Sequence, residues 1–282
     1  MKRIYFGILL IIFSEITMFL RIKPFVYWFT PLVWIGYIFL VDGFVFSIKK
    51  DSLFENKKKF FLLFVISALI WWMFEYINKF VKFRGWIYIN LPPNELEALT
   101  MGTLAFSTIF PAIFETKDLL SLFLSHFDLK INLKWHGLIS NEFFLIFLFS
   151  LGLIFIVLPF TIKTPWLWAF VWTGFILLID PILYLSKNKK CILSLIERRK
   201  IKTLLSIFFA GYICGFLWEF WNYWAYSKWI YTIPILEEIK IFEIPLVGFL
   251  AYGPFALEIY DFYLLVRFVE WKLEKIKFEF LA

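Results

Sequence analysis

Long apolar stretches separated by short basic blocks run through this chain, and such stretches are suited to a bilayer rather than to water. Eight of them, near residues 4–22, 26–47, 60–81, 99–123, 142–162, 166–186, 203–226 and 245–269, approach the ~20 residues needed to cross a hydrocarbon core. Over all 282 residues the chain is 62% hydrophobic, against about 45–50% for soluble domains. Backbone polar groups inside lipid must be satisfied within the segment, which selects helices. The expected fold class is all-α, a polytopic protein of about eight transmembrane helices integral to the cell membrane. Lys2-Arg3 ahead of an apolar run resembles a signal peptide, but no small-residue cleavage site follows and Glu15 interrupts the run. The first segment is therefore read as a helix.

Charge sets an orientation. The net charge of +7 does not point to nucleic acid, because the basic residues lie in blocks between apolar runs. Counted on alternate sides of the segments, 21 of the 29 Lys and Arg fall on the side of the termini. They include Lys130, Lys134, Lys275 and Lys277. The positive-inside rule then places the N- and C-termini in the cytoplasm. Cys191 and Cys214 lack motif spacing, and the ten-residue gap between His126 and His136 matches no metal motif. We expect no metal and no cofactor, since no nucleotide, flavin or haem motif is present either.

The chain reads as an internal duplication. Trp34-Ile-Gly36 with Asp42 matches Trp172-Thr-Gly174 with Asp180 at an offset of 138. Glu75 and Asn78 match Glu219 and Asn222 at 144, and Pro111, Glu115 and Asp118 match Pro254, Glu258 and Asp261 at 143. The expected organisation is a first four-helix membrane repeat over 1–118, a cytoplasmic linker over 119–140 and a second repeat over 141–282. Four helices per repeat make the repeats parallel, related by an axis along the membrane normal.

Carboxylates inside such segments are the candidate chemistry. A charged side chain at mid-bilayer costs at least about 2.5–3.5 kcal/mol, and few cations lie within the spans to offset it. Glu219, Glu258, Glu75 and Glu115 are therefore expected to be neutral acids and are the catalytic candidates. Asn222 and Asn78, three residues after Glu219 and Glu75, share their helix faces, and Asn222 is expected to orient Glu219. Pro111 and Pro254 precede Glu115 and Glu258 by one turn and open the helix by freeing the carbonyls of Ser107 and Leu250. Asp180, Asp42, Asp261 and Asp118 are supporting acids. For Asp42 and Asp180, snorkelling or pairing with basic loops competes with a functional role, and Asp118 reads equally as a helix-end charge. The Glu and Asn pairs also read as polar glue between helices.

Aromatic residues surround the candidate acids. Trp71 precedes Glu75, and Trp86-Ile-Tyr88 follows it; Trp218 and Trp221 flank Glu219, and Trp229-Ile-Tyr231 follows. These rings are the substrate-binding candidates; most of the chain's aromatic surplus reads as lipid-facing and packing mass, and the cluster beside Glu219 is the one that invites a cation-stabilising reading. Beyond them, Leu91–Glu97 and Ile235–Glu243 are expected to form short helices lying on the exoplasmic surface over the mouth of the bundle.

Trp218-Glu219, Trp229-Ile-Tyr231 and Ile244-Pro245-Leu246-Val247-Gly248 together resemble a segment of the integral-membrane lycopene cyclases and related carotenoid hydratase-like proteins. The resemblance covers about 50 residues of the second repeat, and the matching part of the first more weakly. Val247-Gly248 stand where those cyclases carry two glutamates, and the first repeat lacks the Pro-Leu, so the hydratase-like proteins are the less demanding match. The resemblance implies acid chemistry on an isoprenoid or carotenoid-like lipid, with a neutral Glu protonating a double bond.

Three functions fit these observations. One is an acid-catalysed cyclase or hydratase acting on a lipid-dissolved hydrophobic substrate. The others are a proton-coupled small-molecule transporter and a non-catalytic membrane scaffold subunit. The expected partners are that substrate and membrane lipids, with no nucleic acid; the oligomeric state is open. The cavity between the repeats separates them: apolar and aromatic for the enzyme, polar and watery for the carrier, absent for the scaffold.

Overall fold

The structure, a computed structural model, describes residues 1–127, 136–235 and 238–281. Lys130 and Lys134 of the expected linker and Glu237 fall outside them, as do the side chains of His136, Lys275 and Lys277. Helices dominate: α1 (Lys2–Phe19), α2 (Phe29–Lys49), α3 (Lys57–Phe80), α4 (Glu95–Ser107), α5 (Ile109–Ser125) and α6 (His136–Ile139). The chain continues with α7 (Glu142–Thr161), α8 (Trp168–Leu185), α9 (Ile192–Glu197), α10 (Ile201–Trp224), α11 (Leu246–Phe249) and α12 (Tyr252–Leu281). Several starts are set by asparagine caps: Asn56 accepts from the Lys59 amide at 3.0 Å, Asn94 from Glu97 at 3.0 Å and Asn141 from Phe143 at 2.9 Å.

Seven of these segments are long and apolar enough to cross a membrane: Phe29–Lys49, Lys57–Phe80, Glu95–Ser125, Glu142–Thr161, Pro165–Leu185, Ile201–Trp224 and Leu246–Glu274. The chain is a polytopic membrane protein. The eighth expected span, α1, is 18 residues long and carries Lys2, Arg3 and Glu15, which keeps it out of that set.

Helix α1 packs along α2, and α7 along α8, through glycines that let the backbones meet. A Cβ on Gly7 would stand 2.6 Å from the Gly36 carbonyl, and one on Gly152 would stand 2.7 Å from that of Gly174. Two spans are broken. The first parts at Thr108, between α4 and α5, and the second at Leu250-Ala251, between α11 and α12. Pro111 and Pro254 are the third residues of the helices that restart. The freed carbonyl of Leu250 accepts from the Tyr212 hydroxyl at 2.9 Å.

Neither short surface helix expected at 91–97 and 235–243 forms among the described residues, and two strand ribbons are present. Strand β1 (Trp86–Ile89) pairs antiparallel with β2 (Lys228–Tyr231), placing Trp86 opposite Tyr231, Ile87 opposite Ile230 and Tyr88 opposite Trp229. A short hairpin joins β3 (Lys240–Ile241) to β4 (Ile244–Pro245). Residues 91–94 are not helical, and Glu95 opens α4 itself. The alternating Trp-Ile-Tyr-Ile pattern favours strand over helix because its side chains have period two. The β1–β2 ribbon caps one end of the bundle, called here the ribbon end; Arg3 and the 50–56 and 186–200 connections lie at the other, the basic end.

Candidate functional site

The two clusters anticipated around Glu75 and Glu219 both form, at the ribbon end. Each begins with its asparagine. Asn78 donates to the Trp86 carbonyl at 2.9 Å and accepts from the Gly85 amide at 2.8 Å. Asn222 donates to the Trp229 carbonyl at 2.9 Å and accepts from the Trp229 amide at 3.0 Å. Asn222 therefore does not orient Glu219 directly, because its amide is spent on backbone groups that the ribbon leaves unpaired. It fixes the strand, and the strand fixes the tyrosine that reaches the acid.

Glu75, half-buried, receives four contacts from three side chains. Its Oε1 accepts from Trp71 Nε1 at 2.9 Å, Trp86 Nε1 at 3.1 Å and the Tyr88 hydroxyl at 2.5 Å, and its Oε2 lies 3.3 Å from Trp86 Nε1. Glu219 is fully buried, and its Oε1 accepts from Tyr231 at 2.7 Å and from Tyr252 at 2.5 Å. The two tyrosine hydroxyls are 3.1 Å apart. Glu219 Oε2 is buried with no partner among the described residues. Burial first, and then the carboxylates they face, push the ionisation of the ribbon residues Tyr88 and Tyr231 well above the ordinary tyrosine value of 10.0. They stay protonated and are the donors.

Between the clusters lies a cavity of about 560 Å³. Nine of the 14 tryptophans contribute to its wall, so a bound molecule meets extensive π-surface among aliphatic side chains. Trp71, Trp86 and Glu75 come from the first half of the chain; Trp172, Trp218 and Tyr231 come from the second. Tyr252 and Phe255 of α12 close one side, and Glu219 stands directly behind Tyr231 and Tyr252. Near the rim Lys228 forms an ion pair with Glu243 at 2.5 Å.

The structure sorts the remaining candidates. Tyr88 and Trp229 line the cavity with the residues just named. Trp221 does not; its indole donates to Glu15 at 3.0 Å, which supplies that unmatched acid with a partner. Glu115 and Glu258 are fully buried but lie off the cavity wall, and none of their four carboxyl oxygens meets a donor among the described residues. Asp42 accepts from Arg3 at 2.7 Å and from the Phe54 amide of the following basic loop at 3.2 Å. Asp180 accepts from the backbone amides of Ile192 and Leu193 in the 187–202 loop at 2.6 and 2.7 Å, with no cation bonded to it among the described residues. Asp118 pairs with its neighbour Lys117 at 2.6 Å, as a helix-face charge does. Asp261 is fully buried and its two oxygens meet no donor among the described residues.

Sequence reasoning missed Tyr252, Phe255, Trp34, Trp168 and Trp172 as wall residues. Trp34 and Trp172 carried a usable signal, since each opens the matched Trp-x-Gly motif. Tyr252 carried none, because it has no aromatic counterpart at the matched position, where Ile109 stands.

Among the described residues, no group of three or more His, Cys, Asp or Glu is placed to hold a metal ion. Comparisons with family models, with curated proteins and with solved structures each find no match for the chain.

Proposed function

We propose that the chain binds an apolar, lipid-dissolved molecule in the tryptophan-walled cavity and carries out acid chemistry on it. The observation that supports this most directly is an apolar, π-rich cavity with two tyrosine hydroxyls at its wall and a buried carboxyl directly behind them. Apolar walls with a few fixed polar groups are the usual form of a small-molecule site. An isoprenoid or carotenoid-like chain suits it, as the lycopene cyclase and hydratase-like resemblance implies. Glu219, acting through Tyr231 or Tyr252, gives a proton to a carbon–carbon double bond, and the tryptophan faces stabilise the cation. The cation then loses a proton, giving a cyclised or shifted alkene, or takes up water, giving an alcohol.

The architecture proposed with this reading is two parallel four-helix repeats with both termini cytoplasmic. An α1 of 18 residues is about 27 Å long, close to the thickness of a bilayer core, so it serves as the eighth span. Matched contacts support the pseudo-symmetry. Trp34 meets Trp218 with ring centres 5.2 Å apart, and their counterparts Trp172 and Phe74 meet at 5.1 Å. Ile87 pairs with Ile230, which is its own counterpart at the offset of 143.

The test is lipid analysis of cells that make polyenes and express either the wild type or Glu219→Gln. A new product, or an apolar molecule co-purifying with the wild type, is expected, with the product lost in Glu219→Gln. Identical lipid profiles and an empty purified protein would exclude acid chemistry here and favour the scaffold.

A further inference from the structure

Away from the cavity, toward the basic end, two carboxyl pairs are buried between helices. In the first, the Glu115 carboxyl on α5 meets that of Asp42 on α2. In the second, the Asp261 carboxyl on α12 meets that of Asp180 on α8. All four side chains are at most 2% exposed.

The members of each pair differ in their partners. Asp42 has both oxygens engaged: Oδ2 accepts from Arg3 at 2.7 Å and Oδ1 from the Phe54 amide at 3.2 Å. Asp180 likewise accepts from Ile192 and Leu193, one amide on each oxygen. Donors on both oxygens of these two leave the facing carboxyl as the member that can itself supply a proton. Opposite them, neither oxygen of Glu115 or Asp261 has a donor among the described residues. A carboxylate there would combine a desolvated charge with a like charge at contact, the arrangement in which one proton is retained.

Among the described residues no cation bonds Glu115 or Asp261 instead, and Arg3 is taken by Asp42. Lys117, on the same helix as Glu115, is paired with Asp118. Tyr37, Thr116 and Cys214 near Glu115 form their own chain of contacts, Tyr37 to Thr116 at 2.7 Å and Thr116 to Cys214 at 3.4 Å. Around Asp261 stand Glu258, Tyr260 and the Cys191 thiol, which burial and Asp180 push up to about 12 and so keep neutral.

We infer that this end of the bundle contains two proton-binding sites, with the protons carried by Glu115 and Asp261 and hydrogen-bonded to Asp42 and Asp180. Each proton joins the second part of a broken span, α5 or α12, to the helix whose aspartate holds the following connection. The amide of Phe54 and that of Ile192, at the matched offset of 138, are the connection's anchors. The two protonated partners are not counterparts: Glu115 corresponds to Glu258, and Asp261 to Asp118. The sites therefore sit one turn apart along their helices.

Infrared spectroscopy of the purified full-length protein near neutral pH tests this independently of any lipid substrate. Protonated carboxyl bands are expected, one lost in Glu115→Gln and another in Asp261→Asn, both amides still able to donate to the facing aspartate. Should a variant fail to fold, carbon-13 labelling of aspartate in the wild type serves instead and is expected to shift one protonated band. Absence of a protonated aspartate band in the wild type would overturn the assignment. So would bands that appear only when sodium is removed, which would make these cation sites.

Discussion

Gly215 and Tyr252 occupy a single space: a Cβ at 215 would collide with the ring of Tyr252. In the first half of the chain the matched position, one turn before the glutamate, is Trp71, whose indole donates to Glu75. In the second half the glycine leaves room, and Tyr252 enters from α12 to donate to Glu219 in place of an indole. Gly215→Ala is expected to displace that ring, remove its hydroxyl from Glu219 and cost about 1–3 kcal/mol, as overpacked cores do. Thermal unfolding in detergent measures the cost, and an unchanged midpoint would show that Tyr252 has slack.

The asparagine clips make a separate expectation. Asn222→Ala leaves the Trp229 amide and carbonyl without their partners, and the loss is expected to be about 1–3 kcal/mol. Because the clip holds the strand rather than the helix, hydrogen exchange should rise first at residues 228–231 while α10 stays protected. Exchange rising through α10 at the same rate would assign Asn222 to the helix instead.

Tyr88 and Tyr231 carry a pH dependence whose sign is fixed. Both have their ionisation pushed above the value of 10.0 on folding, by burial and by Glu75 or Glu219. The stability they contribute is fully present below about pH 10 and is lost as pH rises through the folded values. In an alkaline titration of tyrosinate absorbance, Tyr231→Phe should leave the amplitude near pH 10 unchanged and remove part of the late, unfolding-linked amplitude. Loss of early amplitude would mean that the hydroxyl is open to water.

Glu258 has neither oxygen paired among the described residues and does not line the cavity. An apolar residue of similar volume relieves an unpaired buried polar group, so Glu258→Met is expected to stabilise the fold by about 1–3 kcal/mol. A destabilised variant would show that the carboxyl has a partner, such as a bound water, worth more than its burial costs.

How far the sequence discloses this molecule depends on the scale considered. Span positions were legible, because about 20 apolar residues between basic blocks have few alternatives. The breaks ahead of Pro111 and Pro254 were legible for the same local reason, a missing N–H. The sites were legible only as types of residue. Glu75 and Glu219 stood out by recurrence, but the spacing of Asn222 suggested a side-chain partner, and its real partner is backbone at Trp229. Nothing in the sequence distinguished Glu219, which faces the cavity through tyrosines, from Glu258, which does not. Nor did recurrence pair Asp42 with Glu115 and Asp180 with Asp261, because those partners are offset by a turn. Such pairings arise when helices pack, and packing angles are set by many residues at once.

The β1–β2 ribbon has a mechanical consequence. Its Ile87–Ile230 pair joins opposite halves of the chain, with Trp86–Tyr231 on one side of it and Tyr88–Trp229 and Ile89–Lys228 on the other. The two halves are thereby clasped at one end like the arms of tweezers. Sliding one past the other breaks the ladder, whereas pivoting about the clasp leaves it whole. Relative motion is thus directed to the far end, beyond the cavity, where no strand ladder joins the halves among the described residues.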